Sequence, residues 1–111
     1  MGVLDDVEAR GRRRERFPVG LGVKRTANLE FEALSRVDYE ALVAAHTDED
    51  GESDDGFQLA LAAACSVDAR DDVARWEGIL NDVLNAGEAN ALHQFLIYLN
   101  WGSPGPGPKG D

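Results

Sequence analysis

The sequence predicts a mainly α protein: a compact bundle of about four helices, preceded by a short β-hairpin and a basic N-terminal arm. Three observations predict it. From residue 35 onward apolar residues recur three and four positions apart, the spacing of helices with one buried face. Just before, "NLEFEAL" alternates apolar and acidic residues, the period of a half-buried strand. The chain has 111 residues, enough for one domain and its single core. The expected organisation is a flexible basic arm over 1–16, one mostly helical domain over 17–101, and a flexible Gly/Pro-rich tail over 102–111.

The arm, containing "RGRRRERF", is polar and arginine-rich, and Gly11 and Glu15 interrupt it as a basic helix. A solvated terminus is the expectation. "FPVGLGVKR" is extended and glycine-bearing, and can pair with "NLEFEAL", where Leu29, Phe31 and Ala33 share one face. Ser35 and Asp38 stand as a capping box for a first helix. Its face is Val37, Ala41, Leu42 and Ala45, ending near His46. Asp54 or Asp55 can cap a second helix, "GFQLALAAACS", apolar nearly all round and therefore central. Phe57, Ala60, Leu61, Ala64 and Cys65 share its main face. A third helix spans "VDARDDVARWEGILNDVL", with Val73, Trp76, Leu80, Val83 and Leu84 inward. Asn85 with Glu88 caps a fourth, which buries Ala89, Leu92, Phe95, Leu96 and Leu99. "GSPGPGPKGD" cannot continue it.

The net charge of −10 is unevenly spread: +3 over residues 1–25 and −13 over the remainder. Such an acidic body would repel nucleic-acid phosphates. It suits solubility and docking on a basic partner. No apolar run of about 18 residues exists to span a membrane. The charged N-terminus lacks the apolar core of a signal peptide, and Cys65 has no second cysteine to pair with. The expected location is the cytoplasm, the host's own if the protein is phage-encoded.

No chemical motif survives testing. "HTDEDGESDDGF" holds six acids and two glycines, yet fails as an EF-hand loop. With Gly51 at loop position 6, position 1 is His46 and position 12 is Phe57; with Gly56 there, they are Gly51 and Ala62. The stretch reads as a linker. Cys65 lies on the core face of an alanine-rich helix, where a free cysteine is structural. It cannot make a zinc site with two histidines scattered at 46 and 93. "GLG" lacks the third glycine and the following helix of a phosphate loop. No carboxylate pair is singled out for acid–base work. The expectation is therefore a non-catalytic binding or assembly factor without metal or cofactor. Trp76 belongs to the core, while Trp101, beside the tail, is the better exposed anchor.

The order of segments carries a resemblance. "LEFEALSRVDYEALVAAH", a polar loop, "FQLALAAACSVD" and "VARWEGILNDVLNAGEANALHQFLIYLN" together resemble the tail assembly chaperones of siphophages and prophages of actinobacteria. The matching positions are Phe31, Leu34, Leu42, His46, Phe57, Leu61, Cys65, Asp68, Trp76, Gly87, Glu88, Asn90, Leu92 and Asn100. The likeness spans roughly residues 28–101. This sequence departs from the family in having "TDEDGESDD" where prolines usually follow the histidine. The resemblance implies a helical, non-catalytic protein that coats the tape measure protein and recruits tail tube subunits. Such a protein is absent from the finished particle. The candidate partner contacts are Trp101, Tyr98, Tyr39 and Phe31, with the apolar positions left over on helices one and four, and self-association is compatible with the role. Two other classes fit the composition: a virion structural protein such as a head–tail connector or minor tail component, and, ranking below it, an acidic DNA mimic.

Overall fold

The computed structural model describes residues 2–101, so the Gly/Pro-rich tail lies outside the described residues. The chain order is α1 (Val3–Arg10), β1 (Arg14–Gly22), β2 (Arg25–Glu32), α2 (Arg36–Ala45), α3 (Gly56–Cys65), α4 (Val73–Gly78) and α5 (Ala86–Trp101). A π-helical turn over Ile79–Val83 continues α4. This corrects the predicted fold class. The domain is mixed α and β, with five α-helices and a two-stranded antiparallel hairpin among the described residues, rather than a mainly α bundle of four.

The correction comes from the first 32 residues. Residues 3–10 of the expected arm form a helix, with Asp5 and Asp6 in its first turn and Arg10 in its last, an arrangement that suits the helix dipole. The Asp5 carboxylate accepts from the Gly2 N–H at 3.0 Å. The hairpin then begins at Arg14, inside the span read as arm, and pairs Arg14 with Glu32 through Gly22 with Arg25. Its turn falls at "GVKR": Gly22 takes φ +138° and Lys24 φ +58°, conformations that a glycine adopts freely. Glu15, Phe17 and Val19 face inward opposite Phe31, Leu29 and Ala27. The other face carries arginines against glutamates: Arg12, Arg14 and Arg70 all reach Glu32, and Arg14 also reaches Glu30. Pro18 is tolerated because β1 is the outer strand. The far side of β2 is held by Val67, whose N–H donates to the Glu30 carbonyl at 3.0 Å.

The helices assemble around α3 and α5. Phe57, Leu61, Ala62, Ala63 and Cys65 of α3 are buried, as are Leu92, Leu96 and Leu99 of α5. Phe31 joins sheet to helices. It is fully buried, with ring centroids 5.6 Å from Trp76 and 6.0 Å from Phe95, and Phe17 lies 5.3 Å from Phe95. The α5 cap is reciprocal: Glu88 N–H donates to Asn85 Oδ1 at 2.8 Å, and Asn85 N–H donates to Glu88 Oε1 at 3.0 Å. The third helix starts at Val73 rather than at Val67, because residues 66–72 are committed elsewhere. The Ser66 hydroxyl accepts from the Ala69 N–H, Asp71 N–H bonds the Ala63 carbonyl, and Asp72 caps α4 through Arg75 N–H. The π turn moves the inward face: Leu84 is buried, while Val83 is 71% exposed.

α2 departs most from its predicted face. It buries no residue completely, and Val37 is 66% exposed. Tyr39, Leu42 and Val43 are its inward, half-buried positions. Among the described residues no helix is long and apolar enough to cross a membrane.

Candidate functional site: an apolar groove between α2 and the end of α5

The acidic stretch is a closed loop. Thr47 and Ser53 bridge, Asp54 N–H donates to the His46 carbonyl at 2.8 Å, and Asp48 N–H donates to Glu52 at 2.9 Å. Asp48 Oδ1 accepts from the N–H groups of Asp50 and Glu52, both at 2.9 Å. Asp54 Oδ1 accepts from Gly56 N–H and lies 2.9 Å from His46 Nδ1. These carboxylates hold a turn, which is the usual work of aspartate in loops. Among the described residues no three His, Cys, Asp or Glu side chains converge as metal ligands would.

The site that does stand out is a groove of about 730 Å³ along α2, lined also by Asn100 and Trp101 at the end of α5. Its apolar surface comes from Leu34, Val43, Ala44 and the rings of Tyr39 and Trp101, and Arg36 and Glu40 border it. The aromatic pair is oriented. Trp101 Nε1–H donates to the Tyr39 hydroxyl at 3.2 Å, and the rings stand 6.3 Å apart at 85°, an edge-to-face arrangement favoured by ring quadrupoles. Trp101 is nonetheless 67% exposed. Arg36 and Glu40 are bonded to each other one turn apart at 3.3 Å.

Asn100 fixes the groove to the body. Its Oδ1 accepts from Leu34 N–H at 2.8 Å, its Nδ2 donates to the Leu96 carbonyl at 2.8 Å, and Cys65 Sγ lies 3.5 Å from Nδ2. One side chain thereby ties the start of α2, the end of α5 and the end of α3. Burial pushes the Cys65 thiol above its ordinary range. The thiol, and not the nucleophilic thiolate, is the resting form. Thiol reagents should therefore modify native Cys65 only slowly and reach completion on unfolding. Fast native labelling, read by mass spectrometry, would contradict its place in the core.

The structure separates the four predicted contact residues. Tyr39 and Trp101 meet in the groove. Tyr98 lies elsewhere on α5, against the hairpin: the Arg13 guanidinium sits 4.9 Å from its ring centroid and donates to its hydroxyl at 3.2 Å. Phe31 is withdrawn from the contact set, since a side chain with no exposed area can touch only the core. Sequence reasoning missed Leu34, whereas Val43 and Ala44 are among the apolar positions of the first predicted helix left over from its expected core face. The signal was present in part: Leu34 precedes the Ser35 cap, and Val43 follows Tyr39 by one helical turn.

Three further side chains set a pH response. His93 packs edge-on to Phe57 at 5.8 Å, its Nδ1 is buried without a protein partner, and burial lowers its pKa from the ordinary 6.5. A base with a depressed folded-state pKa favours unfolding once the unfolded chain begins to protonate. Stability should therefore start to fall as pH drops below about 6.5. Glu32 is held below the ordinary carboxylate value of 4.5, first by the Arg70 hydrogen bond and then by the charges of Arg12 and Arg14. Asp54 is lowered from 3.8 by His46 and by the Gly56 N–H. Their contributions are present above those values and vanish as pH falls through the folded-state ones. Thermal unfolding against pH should show both declines, and His93→Gln should remove only the first. An unchanged upper decline in that variant would reassign it.

Fold and groove define a small mixed α/β domain with an apolar groove along α2. Comparison of the chain with protein-family models, with curated proteins and with solved structures finds no match.

Proposed function

We propose that the protein is a non-catalytic chaperone that holds a helical client in the α2–α5 groove. The client is the tape measure protein of a siphophage tail, to which the complex recruits tail tube subunits in the host cytoplasm. The observation that carries this reading is the ordered set of residues from Phe31 to Asn100 that resembles tail assembly chaperones. Phe31, Phe57, Leu61, Cys65, Trp76 and Leu92 of that set are buried, and Asn100 is the tie described above. The likeness thus falls on the frame of the domain. The identity of the client rests on the resemblance, and the manner of binding on the groove.

The physics suits the role. A long helical client exposes apolar faces that aggregate when uncovered. A groove with an aromatic wall can take one such face, in the helix-in-groove mode. A net charge of −10 keeps the resulting complex dispersed.

The test is expression of the neighbouring tape measure protein alone and together with this chain. Solubility only in the joint expression, with a stable complex on gel filtration, is the expected result. Separate elution with an insoluble tape measure protein would remove client binding by this form. Finding the chain in purified particles would instead favour a virion structural protein.

A further inference from the structure

The hairpin ends in a finger that is exposed from residue 20 to residue 26. Its two large apolar side chains, Leu21 and Val23, are 53% and 87% exposed. Residues 16–29 hold three bases, Arg16, Lys24 and Arg25, and no acid. Among the described residues none of the three is in an ion pair, whereas Arg12 and Arg14 at the other end of the hairpin are held by Glu32 and Glu30. An apolar and basic tip fits a surface that is apolar and acidic. The same chain carries one. The groove along α2 is lined by Val43, Ala44 and Thr47 at one end, and Thr47 opens the loop 48–55, which has six acids and no base. Asp48 and Asp54 hold the turn of that loop. Glu49, Asp50, Glu52 and Asp55 are exposed and, among the described residues, in no ion pair.

We infer that the hairpin tip of one copy docks at the Thr47 end of the groove of another copy. Leu21 and Val23 lie on Val43 and Ala44, and Lys24 and Arg25 face the acidic loop. Two observations select a second copy. The first is complementarity in two properties at once: the tip pairs apolar side chains with unmatched bases, and the groove mouth pairs an apolar floor with unmatched acids. The second is that the fold keeps the two apart within one chain. The strands are paired out to Gly22 and Arg25, so the tip stands about 25 Å, at the rise of a strand, from the Arg14–Glu32 end, which adjoins Leu34 of the groove. The ladder fixes the tip there, and its bases and the loop's acids stay without partners at home. Tip and groove are different surfaces, so two copies that exchange tips close a dimer, while one-way contact continues into a longer chain. The inference uses the groove but does not need the client. A chain that self-associates and binds no tape measure protein keeps this inference and loses that reading.

The test reads molar mass by light scattering over a concentration series, with two charge-reversed chains. One carries Lys24→Glu and Arg25→Glu, the other Glu49→Lys and Asp50→Lys, all at exposed positions. The wild-type mass should rise from 12.0 kDa to at least twice that value. Each reversed chain alone should stay at the monomer mass with an unchanged circular dichroism spectrum, since its tip and loop now carry the same sign. Mixed, the two should associate again, because each tip then meets a loop of opposite sign. Val23→Cys and Ala44→Cys chains, mixed under mild oxidation with native Cys65 buried, should yield a disulfide between the two different chains. Four results would overturn the inference. A monomer mass at every wild-type concentration would leave the tip to an unrelated acidic partner. The other three are association that survives both reversals, a mixture that stays monomeric while the wild type associates, and an intrachain link in a monomeric Val23→Cys/Ala44→Cys chain.

Discussion

Phe31→Ala should destabilise the domain by about 3–5 kcal/mol, the range for removing a buried aromatic ring and leaving its cavity. Phe31 is the one hairpin side chain with no exposed area, and its ring meets Trp76 and Phe95. Those rings come from α4 and α5, so the cavity would open where the hairpin meets both helices. A loss of that size is a large share of the roughly 5–15 kcal/mol by which domains are stable. Urea unfolding followed by tryptophan emission should show the midpoint displaced with little change in slope. A loss under about 1 kcal/mol, the level of a tolerated surface change, would mean that the hairpin does not complete the core.

Asn100→Ala is the second large effect, expected at about 1–3 kcal/mol. The residue is half-buried on α5 and serves both Leu34 N–H and the Leu96 carbonyl. Alanine would leave the Leu34 donor unmet at the entrance to α2, where water reaches only partly. α2 contributes no fully buried side chain, so this tie is a main part of what holds it. The variant should therefore loosen α2 more than α3. Hydrogen exchange is the measurement, with faster exchange expected over 36–45 and little change over 56–65. Equal acceleration in both helices would assign Asn100 a global role instead.

The helices were legible where local chemistry agrees with packing. Ser35 and the Asn85–Glu88 pair cap α2 and α5, and the 3.6-residue spacing of Leu92, Leu96 and Leu99 is that of the buried side of α5. The alternation around Phe31 marked β2. Three features were not legible. α1 has no buried face, so no periodic signal ties it to the fold, and its charges looked like those of an unstructured arm. The length of β1 was hidden because Arg14 and Arg16 belong to a solvent-facing ladder opposite Glu32 and Glu30, which reads as charge rather than as strand. The face of α2 was misplaced because Val37 and Ala41 invite burial by type, while Tyr39 and Val43 are the positions packed against the core. The groove followed the same logic. Trp101 and Tyr39 were visible as aromatics, but their meeting depends on a contact between residues 62 positions apart in the chain.

The most direct test of the account is retention of the tape measure protein by groove variants. Ala44→Glu places a charge on the groove surface at an exposed position, and Leu4→Glu places one on α1. The account predicts that tape measure protein co-expressed with Leu4→Glu stays soluble and co-purifies, while Ala44→Glu, folded by circular dichroism, loses it. Equal recovery with the wild-type chain and with Ala44→Glu would contradict the groove as the client site.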